Sequence, residues 1–534
     1  MDTDVLIIGA GPTGLMLANQ LVRRGVKVEI VDRHAGPAMQ SRALGVQART
    51  LEIYAQLGIA ERALELGKRG TGATMWAQGR RMAHVPLGDA GRMVTPYPFI
   101  LVLGQDDNEL IMGEKLNELG IHVQWNTELT DFTQHSDHVT ATLKLPDGGS
   151  RTLTAAYIAG CDGARSAVRK LSNIDFPGAP YEHVFFVADV VATGSMSQEE
   201  VNVYLWRSGF HLLFPMRGAD HWRIVGIVPP ELRGTENLDL DAVMPSLREE
   251  AGANLSIQSC SWFSTYRIHH RAAERFHDRC AFLLGDAAHI HSPVGAQGMN
   301  TGLQDAYNLA WKLALVVQGK ADPSLLDSYN EERHPVAERL LKTTDNGFKL
   351  VVSDSQLAGL MRTKVLARIA AFAMSTERIQ RFAFRTVSQI GINYRKSSLS
   401  TALDALPFEA PQCGDRFPWL HLKLSADGGI EDAFKAFEDS YFHVVAFGQT
   451  APAAADLGFG GIVKTSTIPP DPQNDAELAR VGIPQPSFYL IRPDGHVGLC
   501  GKTIDAAAIR RYLAGTIGLV AEADPATPND SYIV

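Results

Sequence analysis

Three glycines and an aspartate near the start of the chain are spaced to hold a phosphate-bearing ligand. Gly9, Gly11 and Gly14 stand as G-x-G-x-x-G within residues 5–32, VLIIGAGPTGLMLANQLVRRGVKVEIVD. Gly9 allows a tight turn, Gly11 lets the backbone approach a pyrophosphate, and Gly14 lets a helix pack closely on a strand. Asp32, which closes the run, can accept hydrogen bonds from ribose hydroxyls. These residues work only if the right elements hold them. Residues 5–8 are apolar and predict a buried strand, 15–22 carry helical apolar periodicity, and 28–31 predict a second strand ending at Asp32. A helix opening at the glycine turn points free N–H groups and the positive end of its dipole at the phosphates. Strand, helix, second strand and acid together form the βαβ dinucleotide fingerprint.

The 534 residues have room for about three domains. Hydrophobic content of 45% and charged content of 20% are ordinary globular usage. A net charge of −9 offers no electrostatic footprint for nucleic acid or anionic lipid. No apolar run approaches the roughly 20 residues needed to span a bilayer, and a strand beginning at residue 5 leaves no room for a signal peptide. Cys161, Cys260, Cys280, Cys413 and Cys500 are far apart with no C-x-x-C, the pattern of reduced thiols in a cytoplasmic protein. His269 with His270, and His289 with His291, lack helical i, i+4 spacing and an obvious third ligand, so no metal site is expected. There is no second G-x-G-x-x-G; Gly458-Phe459-Gly460-Gly461 has the wrong spacing.

Further along, helices are predicted over 46–58 and 103–119, then a meander of strands at 122–125, 138–143 and 151–153. The Pro146-Asp147-Gly148-Gly149 turn joins the last two. A strand at 157–159 leads into Gly160-Cys161-Asp162-Gly163. Alternating, aromatic-rich strands at 184–191, 201–206, 210–214 and 222–227 predict a separate, mostly antiparallel sheet. An apolar strand at 280–284 precedes Gly285-Asp286, helices follow at 302–317 and through 324–395, and 396–415 read as a linker. Strands at 443–447, 487–491 and 496–500 suggest a small third α/β domain.

Three more motifs join the first: GCDGARSAVR at 160–169, LGDAAHIHSPVGAQGMNTGLQ at 284–304 and LLDSYNEERHPV at 325–336. Together they resemble the class A flavoprotein monooxygenases, over residues 1 to about 400. The remainder, through GDRFPWL and SFYLIRPDGHVG, resembles the thioredoxin-like tail of the phenol hydroxylase and aromatic polyketide hydroxylase branch. The resemblance implies an α/β fold. A Rossmann-like FAD-binding domain with a helical extension would occupy 1–175 and 270–395, an inserted substrate-binding sheet 176–269, and a thioredoxin-like domain 400–534. It implies FAD held by Gly9, Gly11, Gly14, Asp32, Arg42, Gln105, Asp162, Gly163, Asp286, Gly298, Met299 and Asn300. Arg33 either stacks near the adenine or is solvated, and Arg165 and Arg169 lie near enough in sequence to meet phosphate. The backbone of Pro293, Gly295 and Asn300 would face the flavin pyrimidine edge, where a helix N-terminus stabilises the charge gained on reduction.

The implied reaction passes a hydride from NADPH or NADH, a transient co-substrate, to FAD. A flavin C4a-hydroperoxide formed with O2 then hydroxylates a phenolic or polycyclic aromatic. An alternative is a flavin-dependent reductase or dehydrogenase without oxygen insertion; a flavin-binding scaffold is a third reading. Candidates for the substrate side are Tyr204, Trp206, Phe214, Trp222 and Tyr266, with His211 and His269 as candidate bases. The phenol hydroxylase branch carries an aspartate where this chain has Leu44 before Gly45, which favours a larger aromatic. Without C-x-x-C, the last domain is expected to serve packing or association. Expected partners are a small aromatic substrate and O2, with no nucleic acid and no membrane, for a monomer or homodimer.

Overall fold

The structure, a computed structural model, describes residues 1–38, 43–77, 80–206, 209–235, 237–251, 255–291, 297–352 and 376–521. These residues form two compact units. The first takes in Met1–Asn19, Val28–Ala306 and His334–Ile390; the second takes in Gln20–Lys27, Tyr307–Arg333 and Gly391–Val534.

In the first unit, Thr3–Ile8 pairs in parallel with Val28–Val31 on one side and with Ser150–Gly160 on the other. Ala281–Leu283 extends the sheet in parallel. Val5, Leu6, Ile7, Ile30 and Val31 are buried, as a strand covered on both faces requires. Ser150–Gly160 serves two partnerships. Its first half runs antiparallel to Val139–Lys144, and its second half joins the parallel sheet. The two strands predicted at 151–153 and 157–159 are therefore one. The outer strand of the meander is Glu128–Gln134 rather than 122–125. Only a bridge from Gln124 to Val31 forms there, because Asn126 turns the chain at φ 53° and its N–H donates to His34 O.

The second sheet of this unit runs in the order His289–Ile290, Ser256–Ala272, Gly178–Thr193, His221–Ile227, Gly209–Pro215, Glu200–Trp206, Gly72–Ala77, Arg80–Pro86. Neighbours are antiparallel except Glu200–Trp206 with Gly72–Ala77. The sheet thus recruits residues 72–86 from far upstream. Its longest strand, Ser256–Ala272, carries charged and hydroxylic residues that mask its periodicity. Side chains alternate across a strand. One face packs Phe186, Tyr204, Trp222 and Ile224 beneath Val243, Met244 and Leu247 of the helix Leu240–Ala251. The other face carries Phe185, Leu205, Phe210 and Ile227.

The second unit holds a mixed sheet in the order Thr401–Ala402, Val497–Gly501, Ser487–Ile491, Phe442–Phe447, Val463–Ile468. Residues 307–333 fall in the same compact unit as this sheet. Trp311, Leu315 and Leu325 share a core with Val444, Leu490 and Leu499. Charge reinforces that allegiance. Arg492 donates to Glu332 at 2.5 and 3.0 Å and pairs with Asp494, while Lys312 reaches Glu332 at 2.8 Å, all fully buried. Such ions are tolerated only as a satisfied set, since a lone member would be an uncompensated buried charge. No helix among the described residues is long and apolar enough to cross a membrane.

Candidate active site

The glycine turn sits where the first strand passes into the helix Pro12–Val22. Gly9 adopts φ 103°, and a Cβ there would lie 2.4 Å from the Cys161 carbonyl oxygen. A Cβ on Gly14 would lie 1.9 Å from Gly9 O. Only glycine fits either position. Gly11 differs: a Cβ would meet nothing within 4 Å, because the residue faces an open cleft. Asp32 clasps the turn. Its Oδ2 accepts from Ala10 N at 2.7 Å, and its Oδ1 accepts from His34 N at 2.8 Å. The acid expected to read a ribose therefore also holds the loop in place.

The cleft encloses about 970 Å³ and is lined by Gly11, Asp32, Arg33, Gln105, Asp162 and Asp286, among others. Gly163, at φ 75°, and Arg165 also line it. Asp162 Oδ2 accepts from Ala167 N at 2.6 Å and Val168 N at 3.3 Å. Its Oδ1 is buried with no hydrogen-bond partner, and burial pushes its carboxyl above the usual range. Arg169 does not reach the cleft. Its guanidinium donates to Ala287 O at 2.7 Å and Ala164 O at 2.8 Å, and lies 3.8 Å from the Phe176 ring centre. A cation that could have met phosphate instead satisfies buried carbonyls.

Gln105 opens the helix Gln105–Glu118 and donates through Nε2 to Glu109 Oε1 at 2.8 Å. The other Glu109 oxygen accepts from Ala38 N at 2.8 Å. Burial raises the Glu109 carboxyl. Glu109 thus positions both Gln105 and the loop after Asp32. The i, i+4 pair with Gln105 is local, but the bond to Ala38, 71 positions away, is not announced by any local motif.

The turn Gly285–Ala287 brings an exposed Asp286 to the cleft. Gly285 N donates to Asp305 Oδ2 at 3.1 Å, and the same oxygen lies 2.7 Å from His289 Nε2. The long helix begins at Gly298, earlier than its apolar periodicity indicates, so Gly298, Met299 and Asn300 form its first turn. The Asn300 side chain is buried and hydrogen-bonded within the protein. It accepts from Gln47 N at 2.8 Å and Thr50 Oγ1 at 2.7 Å, and donates to Gly45 O at 2.7 Å. Arg42, Pro293 and Gly295 lie outside the described residues, as does the side chain of Trp206.

Two candidates for the substrate side, Tyr204 and Trp222, and the candidate base His211 belong instead on the face packed beneath the helix Leu240–Ala251. Tyr204 stacks on Trp76 at 5.6 Å, and Trp222 donates to Ala192 O at 3.0 Å. His211 pairs with Tyr204 and Gly226 across the sheet, and its ring centre lies 5.7 Å from that of Phe186. Burial pushes its imidazole down to about 3, far too weakly basic to draw a proton near neutral pH. Tyr266 lies on the opposite face, 5.9 Å from Phe185, and burial pushes its phenol up to about 12. Phe214 shares that face with Phe210 by alternation. His269 stands opposite Pro180. Phe185, Phe210, Leu205 and Ile227 form the buried core on that face. Strict period-two counting along each strand would have found them.

The donor set suits a dinucleotide. An open backbone approach at Gly11, a buried carboxylate oxygen without a partner at Asp162 and an exposed Asp286 share one cleft. The family model described as FAD binding domain matches residues 2–344. The chain is 33% identical to 6-methylpretetramide 4-monooxygenase of Streptomyces rimosus over 521 residues, covering 93% of this chain and 90% of that protein. It is 31% identical to pentachlorophenol 4-monooxygenase of Sphingobium chlorophenolicum, covering 78% and 76%. Its structure is similar to a ternary complex of aklavinone-11 hydroxylase with FAD and aklavinone, with TM-score 0.78 and 26% identity, covering 97% and 99%.

Proposed function

The chain belongs to the FAD-binding-domain family of flavoprotein aromatic monooxygenases, and on that footing we propose that it uses NAD(P)H and O2 to hydroxylate a polycyclic aromatic. The observation that carries this reading is the single cleft that gathers Gly11, Asp32, Asp162 and Asp286. FAD, once reduced by NAD(P)H, supplies the oxygen-transfer chemistry, while the protein binds, orients and excludes water.

The residues divide that work. The N–H groups opening the helix Pro12–Val22 take the pyrophosphate, and the open space at Gly11 lets it approach. Asp32 takes ribose hydroxyls while keeping the turn closed. Asp286 takes the ribityl hydroxyls, and the buried Asp162 oxygen takes a hydroxyl or amide donor. By the resemblance alone, Arg42 is assigned to phosphate and Pro293, Gly295 and Asn300 to the flavin. The aromatic substrate is assigned to the side of the second sheet whose core is Phe185 and Phe210, with Tyr266 packed against it. We place that substrate with 6-methylpretetramide and aklavinone rather than with pentachlorophenol. The reason is that Leu44, which is buried, stands where the resemblance places an aspartate in the phenol hydroxylase branch.

The C-terminal mixed sheet is read as thioredoxin-like in form, without C-x-x-C chemistry, and the protein as a cytoplasmic monomer or homodimer. The test is NAD(P)H oxidation across phenols, naphthols and polycyclic quinols, followed by mass spectrometry of the product made under 18O2. Substrate-dependent oxidation with one labelled oxygen in the product is expected. Substrate-dependent oxidation without label would replace this reading with a flavin-dependent reductase.

A further inference from the structure

Cys413 and Cys500 are 87 positions apart, yet their sulfurs stand 2.8 Å from each other in the second unit. Backbone pairing holds both. Cys500 is in register with Ala402, and its carbonyl accepts from Leu403 N at 2.9 Å. On the other side Gly414 N donates to Val497 O at 2.7 Å, and Val497 N donates to Asp415 O at 2.8 Å. The two sulfurs are therefore neighbours because two chain segments are hydrogen-bonded at that point, not because two flexible side chains meet. Cys413 is half-buried and open to a small solute, whereas Cys500 is 1% exposed. Cys413 Sγ also lies 2.8 Å from Thr401 O, to which its S–H can donate, and either thiol can donate across the pair, so one sulfur is held as an acceptor against the other. The other three cysteines differ in setting: Cys161 lines the nucleotide cleft, Cys280 is buried, and Cys260 is exposed.

We propose that Cys413 and Cys500 form a reversible dithiol–disulfide site oxidised by hydroperoxides. The chemistry balances with hydrogen peroxide. A thiolate of the pair attacks the peroxide O–O bond, becoming a sulfenic acid as the first water leaves. The neighbouring thiol attacks that sulfur, the S–S bond forms, and the second water departs. Two thiols lose two protons and two electrons, and one peroxide is reduced to two waters. An external dithiol reverses the step by thiol–disulfide exchange. The bond would fasten the segment entering the second unit to the strand Val497–Gly501. This site is independent of the cofactor cleft and of the aromatic substrate.

The test treats the FAD-loaded full chain with graded hydrogen peroxide, raised until the exposed Cys260 begins to oxidise. The protein is then blocked, digested without reductant and mapped by mass spectrometry. A peptide pair linking Cys413 to Cys500, lighter by two hydrogens and separated again by dithiothreitol, is expected before Cys260 reacts. Cys413→Ser should abolish the link and leave Cys500 alkylatable. Oxidised Cys260 alongside unlinked Cys413 and Cys500 would overturn the proposal, and so would Cys413 or Cys500 linked to Cys161, Cys260 or Cys280. The wild-type map is decisive even if a serine variant fails to fold.

Discussion

Gly11→Val and Gly14→Ala should fail in opposite ways, although the two glycines belong to one motif. A methyl on Gly14 would press to 1.9 Å from Gly9 O, a backbone atom that no rotamer change can move. Gly9 is itself held by Val31 O at 2.8 Å, so the turn and the helix would have to separate. A clash of that kind belongs with the few substitutions that cost more than about 4 kcal/mol. Gly14→Ala should accordingly lower the yield of folded protein, with or without FAD. At Gly11 a new Cβ meets nothing within 4 Å, so the apoprotein should melt as the wild type does, within about 0.5 kcal/mol. The side chain would instead occupy the cleft where a pyrophosphate approaches the helix N-terminus. Forfeiting one hydrogen bond to a charged group costs roughly 1.5–3 kcal/mol, and the valine should forfeit at least one. The dissociation constant for FAD should then rise about 10- to 150-fold. The assay is flavin fluorescence quenching on titration of the apoprotein, beside thermal melts of the apo forms. Wild-type FAD affinity in Gly11→Val would refute the assignment of this cleft. A normally folding Gly14→Ala would refute the steric argument.

Asp286→Ala should weaken FAD binding by roughly 10-fold or more through lost hydrogen bonds to the ribityl chain, read by the same titration. His211→Asn should leave both limbs of the pH–rate profile in place, because burial already holds that imidazole neutral down to about pH 3; a displaced limb would restore His211 as a base. For Glu332, burial pushes the carboxyl up, but Arg492 and Lys312 outweigh it and bring it to about 2. A depressed folded value means its stabilisation is present above the unfolded value of about 4.3 and is lost as pH falls toward 2. Urea unfolding should show the wild type losing stability across that window. Glu332→Gln should be destabilised by about 3–5 kcal/mol at neutral pH and should vary less through the same window. Parallel pH slopes for the two proteins would contradict the ion-network account.

Much of the nucleotide site is legible from residue order because its causes are local. G-x-G-x-x-G within a strand–helix–strand run is a contiguous pattern, and Gly285-Asp286 after an apolar strand is another. Each states its own geometry, through a left-handed φ, a close backbone approach or a free helix end. The paired edges of the second sheet were less legible. Its strand at 256–272 hides its alternation under hydroxyl and charged residues, and residues 72–86 join it from more than a hundred positions upstream of their partner strand at 200–206.

Residue order alone makes the glycine turn and the aromatic-rich sheet legible, because spacing and periodicity within a short window suffice for each, whereas the flavin role expected of Asp286 came from the resemblance. Which way side chains face, and whom they meet, is settled by packing in three dimensions. A period-two strand offers two faces, and it is the helix Leu240–Ala251 that turns Tyr204, Trp222 and His211 into core and leaves Phe185, Phe210 and Tyr266 on the opposite face. Arg169 has the charge to bind phosphate, but two buried carbonyls claim it. Asn300 holds Gly45 across 255 positions, Glu109 holds Ala38 across 71, and Cys413 meets Cys500 across 87. Such pairings arise when burial removes water and each polar group must find a partner within hydrogen-bond reach. That requirement acts on distance in space, which local sequence patterns do not encode.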